Sequence, residues 1–151
     1  MVVTIARLFS ALFLAVALLP SPTVAEALTG DQLSAPEAWN RAEKREIMLL
    51  DVRTPGEWLQ TGMPATSTGN DWWQKAGKAG FLEGVLALTG GKRDQPIAVI
   101  CARGNRSRAA RQFLTDSGFT NVFDIGEGML GGRKGPGWLS RRLPLDACRN
   151  C

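Results

Sequence analysis

Three short apolar runs carry no helical period, and helical patterning falls between them. Ile47-Met48-Leu49-Leu50-Asp51-Val52 and Ile97-Ala98-Val99-Ile100-Cys101 are nearly continuous apolar stretches of strand length, and Asn121-Val122-Phe123-Asp124-Ile125 is a third. Runs of this kind, bounded by turn residues, predict buried strands. Ser34-Ala35-Pro36-Glu37 reads as a helix start running to about Lys44: Ser34 can cap free amides, Pro36 suits the first turn, and Glu37 stands three residues after the cap. Thr54-Pro55-Gly56-Glu57 turns the chain into a short helix with Trp58 and Leu59, and residues 61–70 form a Gly/Thr/Ser/Pro-rich loop. Residues 71–89 are weakly helical, with Trp72, Trp73, Phe81 and Val85 available for packing, and Gly90-Gly91 ends them. A further helix is predicted from about Arg106 to Ser117, closed by Gly118. Gly126 to Gly137 is glycine-dense loop, after which Trp138 and Leu139 open a last helical turn before Pro144. Strands alternating with helices predict an α/β domain with a central parallel sheet flanked by helices. Such sheets bind ligands at the carboxyl ends of their strands, where Cys101 lies.

The N-terminal pattern differs. Arg7 is the only charge before Glu26, an apolar run from Leu8 to Leu19 follows it, and Pro20, Pro22 and small residues around Ala25 and Ala27 come next. This order predicts a cleaved export signal over residues 1–25, leaving a mature domain over 26–147 and a Cys-x-x-Cys tail over 148–151. The apolar run is short for a membrane span, which needs about 20 residues. The expectation is an exported protein, periplasmic in a bacterium, that does not associate with a membrane once the signal is removed.

Composition narrows the chemistry. The 151 residues are 44% apolar and 21% charged, enough for one domain. Lys and Arg number 18 against 14 Asp and Glu, an excess too small to predict a nucleic-acid partner. There is no histidine and no tyrosine. That excludes Ser-His-Asp and Cys-His catalysis, His-ligated metal sites and haem attachment through Cys-x-x-Cys-His. No metal or organic cofactor is predicted. Of three cysteines, Cys148 and Cys151 can pair in an oxidising compartment, which leaves Cys101 as the odd thiol.

Cys101-Ala102-Arg103-Gly104-Asn105-Arg106-Ser107 joins a predicted buried strand to a predicted helix. A loop entering a helix directs backbone N–H groups inward as an anion cradle, and Gly104 permits the backbone angles this needs. The helix dipole and nearby arginines favour the thiolate of a cysteine facing those amides. Arg103, Arg106, Arg108 and Arg111 crowd the end of the helix where the dipole prefers acids, which suggests an anionic ligand among them.

The loop Cys101-x-x-Gly104-x-Arg106-Ser107 resembles the active-site loop of rhodanese-type sulfurtransferases. Leu50-Asp51-Val52-Arg53 with Glu57-Trp58 resembles their upstream signature, and the glycine-rich run to Trp138 and Pro144 resembles their ending. The resemblance covers roughly residues 30–145 and implies a single rhodanese-like domain. It implies that Cys101 is the catalytic nucleophile, taking sulfane sulfur from a small anionic donor such as thiosulfate. The persulfide would pass it to cyanide, a thiol or a protein. Ala102, Arg103, Gly104, Asn105, Arg106 and Ser107 would form the substrate-binding loop, with the two arginines holding the donor. Rhodanese-like phosphatases place one more residue between Cys and Arg, so the four residues between Cys101 and Arg106 favour sulfur over phosphate.

Asp51, Arg53 and Glu57 are expected as structural support, Asp51 organising loop amides and Arg53 pairing with Glu57. Trp72 and Trp73 are expected to pack. Where family members commonly carry Gly-His-Ile-x-Gly-Ala, this chain has Gly62-Met63-Pro64-Ala65-Thr66, which predicts a reshaped rim. Two other readings remain: a rhodanese-fold carrier or docking module without turnover, and a thiol–disulfide oxidoreductase using Cys148 and Cys151.

Overall fold

The computed structural model describes residues 30–132 and 134–148. The expected signal segment and Cys151 lie outside them. Helix α1 spans Ala35–Glu43, strand β1 Met48–Asp51, helix α2 Pro55–Thr61, strands β2 and β3 Met63–Pro64 and Thr68–Gly69, and helix α3 Gly77–Thr89. Strand β4 spans Ile97–Ile100, helix α4 Asn105–Asp116, and strands β5 and β6 Val122–Asp124 and Leu145–Asp146. The main sheet has the order β3-β1-β4-β5, all parallel, as the alternation predicted. Its register aligns Asp51 with Ile100 and Val99 with Asp124, so the strands end together and their following loops share one edge.

Strand periodicity divides the core. Leu49, Ala98, Ile100 and Phe123 pack with α1 residues Ala35, Ala38 and Ala42 and with Trp138 on one face. Leu50, Ile97, Val99 and Cys101 pack with Phe81 and Val85 of α3 and Ala110 and Leu114 of α4 on the other. In β4 the side chains of residues 97 and 99 point to the α4 face, and Cys101 continues that alternation. The alternation thus puts the thiol beneath the start of α4.

Local chemistry fixes the helix starts. Ser34 Oγ accepts the Glu37 N–H at 3.3 Å, as its spacing implied. Thr54 and Glu57 form a reciprocal capping box at α2. One expectation needs correction. Helix α3 begins at residue 77 rather than 71, because Asp71 Oδ1 takes the Trp73 N–H in a local turn and Gly77 adopts φ +62°. After Trp138 the expected single helical turn forms, with the Arg141 N–H on the Gly137 carbonyl at 3.2 Å, and the Trp138 indole N–H donates to the Pro144 carbonyl at 3.0 Å. Within the expected 61–70 loop, β3 adds an edge to β1, and β2 forms an antiparallel ribbon with β6.

Candidate active site

The Cys101 loop runs from the end of β4 into α4. Gly104 caps that helix at φ +87°, in the left-handed region where a side chain is strained. A Cβ there would also stand 2.2 Å from the Gly126 carbonyl oxygen. Glycine therefore lets the loop press against the strand β5 turn, and this directs the Gly104 N–H at Cys101 Sγ, 3.2 Å away. The thiol is hydrogen-bonded to Ser107 Oγ at 3.5 Å. Cys101 is a free thiol, 1% exposed. It sits among apolar neighbours with an N–H and a hydroxyl as its polar contacts. The first-turn amides of α4 have no acceptor within the helix and add their dipoles at the same end.

The substrate-loop residues divide. Gly104 and Ser107 meet the sulfur. Ala102 accepts the Leu130 N–H through its carbonyl, 2.9 Å, and Asn105 opens α4 beside the cavity described below. The two arginines expected to hold the donor make other contacts in this structure. Arg103 faces outward, its Nη1 3.3 Å from the Gly131 carbonyl. Arg106 spends both terminal nitrogens on Glu57, at 2.7 and 2.6 Å. The expected Arg53–Glu57 ion pair is therefore absent: Glu57, three residues into α2, faces across to α4. Its carboxyl is lowered to about 2, chiefly by the hydrogen bond from Arg106, with burial opposing and Thr54 assisting. The Arg106 guanidinium is raised in turn by Glu57. Trp73, 65% exposed, stacks on that guanidinium with its ring centre 4.5 Å away. Trp72 instead packs edge-on against Phe81 and Phe113.

Arg53 pairs with Asp51, both fully sealed, with Nη2–Oδ2 at 2.7 Å. Asp51 also accepts the Arg53 backbone N–H, the amide-organising role expected of it. The same guanidinium donates to Thr61 Oγ1 and the Gly62 carbonyl, at 2.7 and 2.8 Å. It thus clamps the end of α2 to the end of β1, which sets the position of Glu57.

Two acids escaped the sequence reading. Glu127 accepts the Ala35 and Gly137 N–H groups and pairs with Arg141. Burial raises its carboxyl, but Arg141 and the two amides outweigh this and hold it lowered. Asp124, at the end of β5, is buried with Oδ1 lacking any hydrogen-bond partner. It lines a cavity of about 510 Å³ with Arg103, Gly104, Arg108 and Lys134. A buried acid in a strand has no sequence signal beyond being polar in an apolar run. Cys148 is disulfide-bonded; its expected partner Cys151 lies outside the described residues.

Residues 34–134 match the family model described as Rhodanese-like domain. The chain belongs to the rhodanese-like family. It is 33% identical over 100 residues to the uncharacterized protein RP600 homolog of Rickettsia rickettsii, covering 64% of this chain and 80% of that one. A rhodanese-related protein of Thermoplasma volcanium superposes with a TM-score of 0.56 at 28% identity, covering 79% of this chain and all of that one. The polysulfide-sulfur transferase homodimer of Wolinella succinogenes gives a TM-score of 0.58 at 26% identity, covering 79% of this chain and 80% of that one. The rhodanese-like domain and its sulfurtransferase neighbour support chemistry of the sulfur-transfer kind.

Proposed function

We propose that this rhodanese-like protein is a sulfurtransferase that carries sulfane sulfur on Cys101. The observation that supports it most directly is the placement of the chain's one free described thiol under the α4 N-terminus, with the Gly104 N–H aimed at its sulfur. The Cys101 thiolate attacks the outer sulfur of an anionic donor such as thiosulfate. A new Sγ–S bond forms, the donor's S–S bond breaks, and sulfite leaves with the electron pair. An acceptor such as cyanide or a thiolate then attacks the terminal sulfur, and the Cys101 thiolate returns. Negative charge stays near the Gly104 amide and the α4 dipole throughout, which is where preorganised donors lower a barrier most. Thiolate is nucleophilic by itself, which suits a chain without histidine.

The test is mass spectrometry after thiosulfate exposure, followed by thiocyanate assay with cyanide. The wild-type chain gains one sulfur atom on the Cys101 peptide and forms thiocyanate, and Cys101→Ser does neither. No sulfur on Cys101 and no thiocyanate would overturn the reading.

A further inference from the structure

Asp124 ends a central strand with an acceptor that nothing in the fold satisfies. In β5, Val122 packs on the α4 side and Phe123 on the α1 side, so the alternation puts the Asp124 side chain on the α4 side. Its backbone is pinned by the segment ahead of α1. The Asp124 N–H donates to the Asp31 carbonyl at 2.8 Å, and its carbonyl accepts the Leu33 N–H at 3.0 Å. The side chain therefore cannot leave with the backbone. The residue is 4% exposed, and Oδ1 has no hydrogen-bond partner. A buried carboxylate oxygen without a donor is costly, and it marks a place where a donor belongs.

Asp124 lines the cavity of about 510 Å³ whose walls are the chain from Arg103 to Arg108, the turn after β5, and Gln32. Small-molecule sites commonly measure about 300–1,000 Å³. Gly126 keeps the cavity open: a Cβ there would stand 3.4 Å from Asp124 Oδ2 and 3.1 Å from Lys134 Cγ. Cys101, Arg106 and Ser107 do not line it, so it is distinct from the contacts of the thiol. Its charges are sorted by depth. Arg103, Arg108 and Lys134 are exposed, whereas Asp124 is buried. Among the described residues none of these three cations is paired with an acid, unlike Arg106 and Arg111 of α4.

A purely anionic ligand would suit the rim but set like charge against the floor. A purely cationic one would suit the floor and be repelled by the rim. A molecule with an ammonium at one end and carboxylates at the other satisfies both. We propose that this cavity binds an acidic amino acid as its zwitterion, with the ammonium on Asp124 and the carboxylates among Arg103, Arg108 and Lys134. The ammonium gives Oδ1 the charge-assisted donor it lacks, and the arginine forks match carboxylates. Three cations against one acid leave room for two carboxylates rather than one. No bond forms or breaks in this site, and the inference does not depend on sulfur reaching Cys101.

The test is calorimetric titration of the full chain with L-glutamate, with glutarate, which keeps both carboxylates and lacks the ammonium, and with inorganic phosphate. L-glutamate binds, and glutarate and phosphate bind at least about tenfold more weakly, the effect of losing one charge-assisted hydrogen bond to a buried acid. Asp124→Asn weakens L-glutamate by about tenfold and brings it within about threefold of glutarate. Arg108→Gln, at an exposed position, weakens L-glutamate and glutarate alike by about threefold or more. The Gly126 and Gly132 amide resonances shift on saturation with L-glutamate, and the Trp73 amide stays in place. An L-glutamate Kd weaker than about 20 mM overturns the proposal. Glutarate or phosphate binding as tightly as L-glutamate also overturns it, as do resonance shifts confined to residues away from the cavity. If Asp124→Asn fails to fold, the wild-type preference for L-glutamate over glutarate and the Arg108→Gln titrations decide on the same criteria.

Discussion

Two arginine–carboxylate pairs, whose acids Asp51 and Glu57 stand six residues apart, do different work. Arg53 and Asp51 are both 1% exposed or less, and the guanidinium also holds a hydroxyl and a carbonyl at the end of α2. Arg106 and Glu57 join α4 to α2 at the loop mouth, partly exposed, with Trp73 over the guanidinium. The sealed pair fixes backbone; the mouth pair fixes a side chain beside the reactive loop. Burial decides the difference. A sealed charge that loses its partner cannot turn to water, while an exposed one can.

That contrast sets the order of mutational effects. Arg53→Met leaves the Asp51 carboxylate buried and unpaired, and is expected to cost about 3–5 kcal/mol in urea unfolding. A cost under about 1 kcal/mol would remove the distinction between the pairs. Glu57→Gln is expected to cost about 1 kcal/mol at neutral pH, because the pair is screened. Its pH dependence is sharper evidence. The folded Glu57 carboxyl is lowered from 4.5 to about 2, so its stabilisation is present above the higher value and lost as pH falls through the lower. The wild-type advantage over Glu57→Gln should therefore shrink between about pH 4.5 and about pH 2, and a pH-independent gap would contradict the pairing. Trp73→Ala is the smallest, about 0.5–1 kcal/mol from the lost cation–π contact, read by the same unfolding curves.

The sequence was most legible where information is local. The three buried strands, the Ser34 cap and the left-handed Gly104 each follow from residues a few positions apart. Partners across long separations were illegible. Glu57 and Arg106 are 49 residues apart, and the shared strand-to-helix turn pointed to Arg53 instead. Strands β2 and β6 are two residues each, and they exist because Met63–Pro64 and Leu145–Asp146 meet in the fold. Asp124 read as one polar residue in an apolar run; that it is buried with Oδ1 unpartnered, on the cavity beside the Cys101 loop, is set by the fold. The arginines crowding α4 suggested a shared anion, yet Arg106 is already occupied by Glu57, and Arg111 pairs with Asp31 at 3.0 Å.

Glu127 bears on how the domain comes into being on the ribosome. Its carboxylate receives the first amide of α1, from a residue 92 positions earlier, and also Gly137 and Arg141. The opening helix therefore lacks this fastening until Glu127 has emerged. The domain can first close only after Arg141 has emerged, so a nascent chain stalled before Arg141 should remain a target for chaperones and proteases.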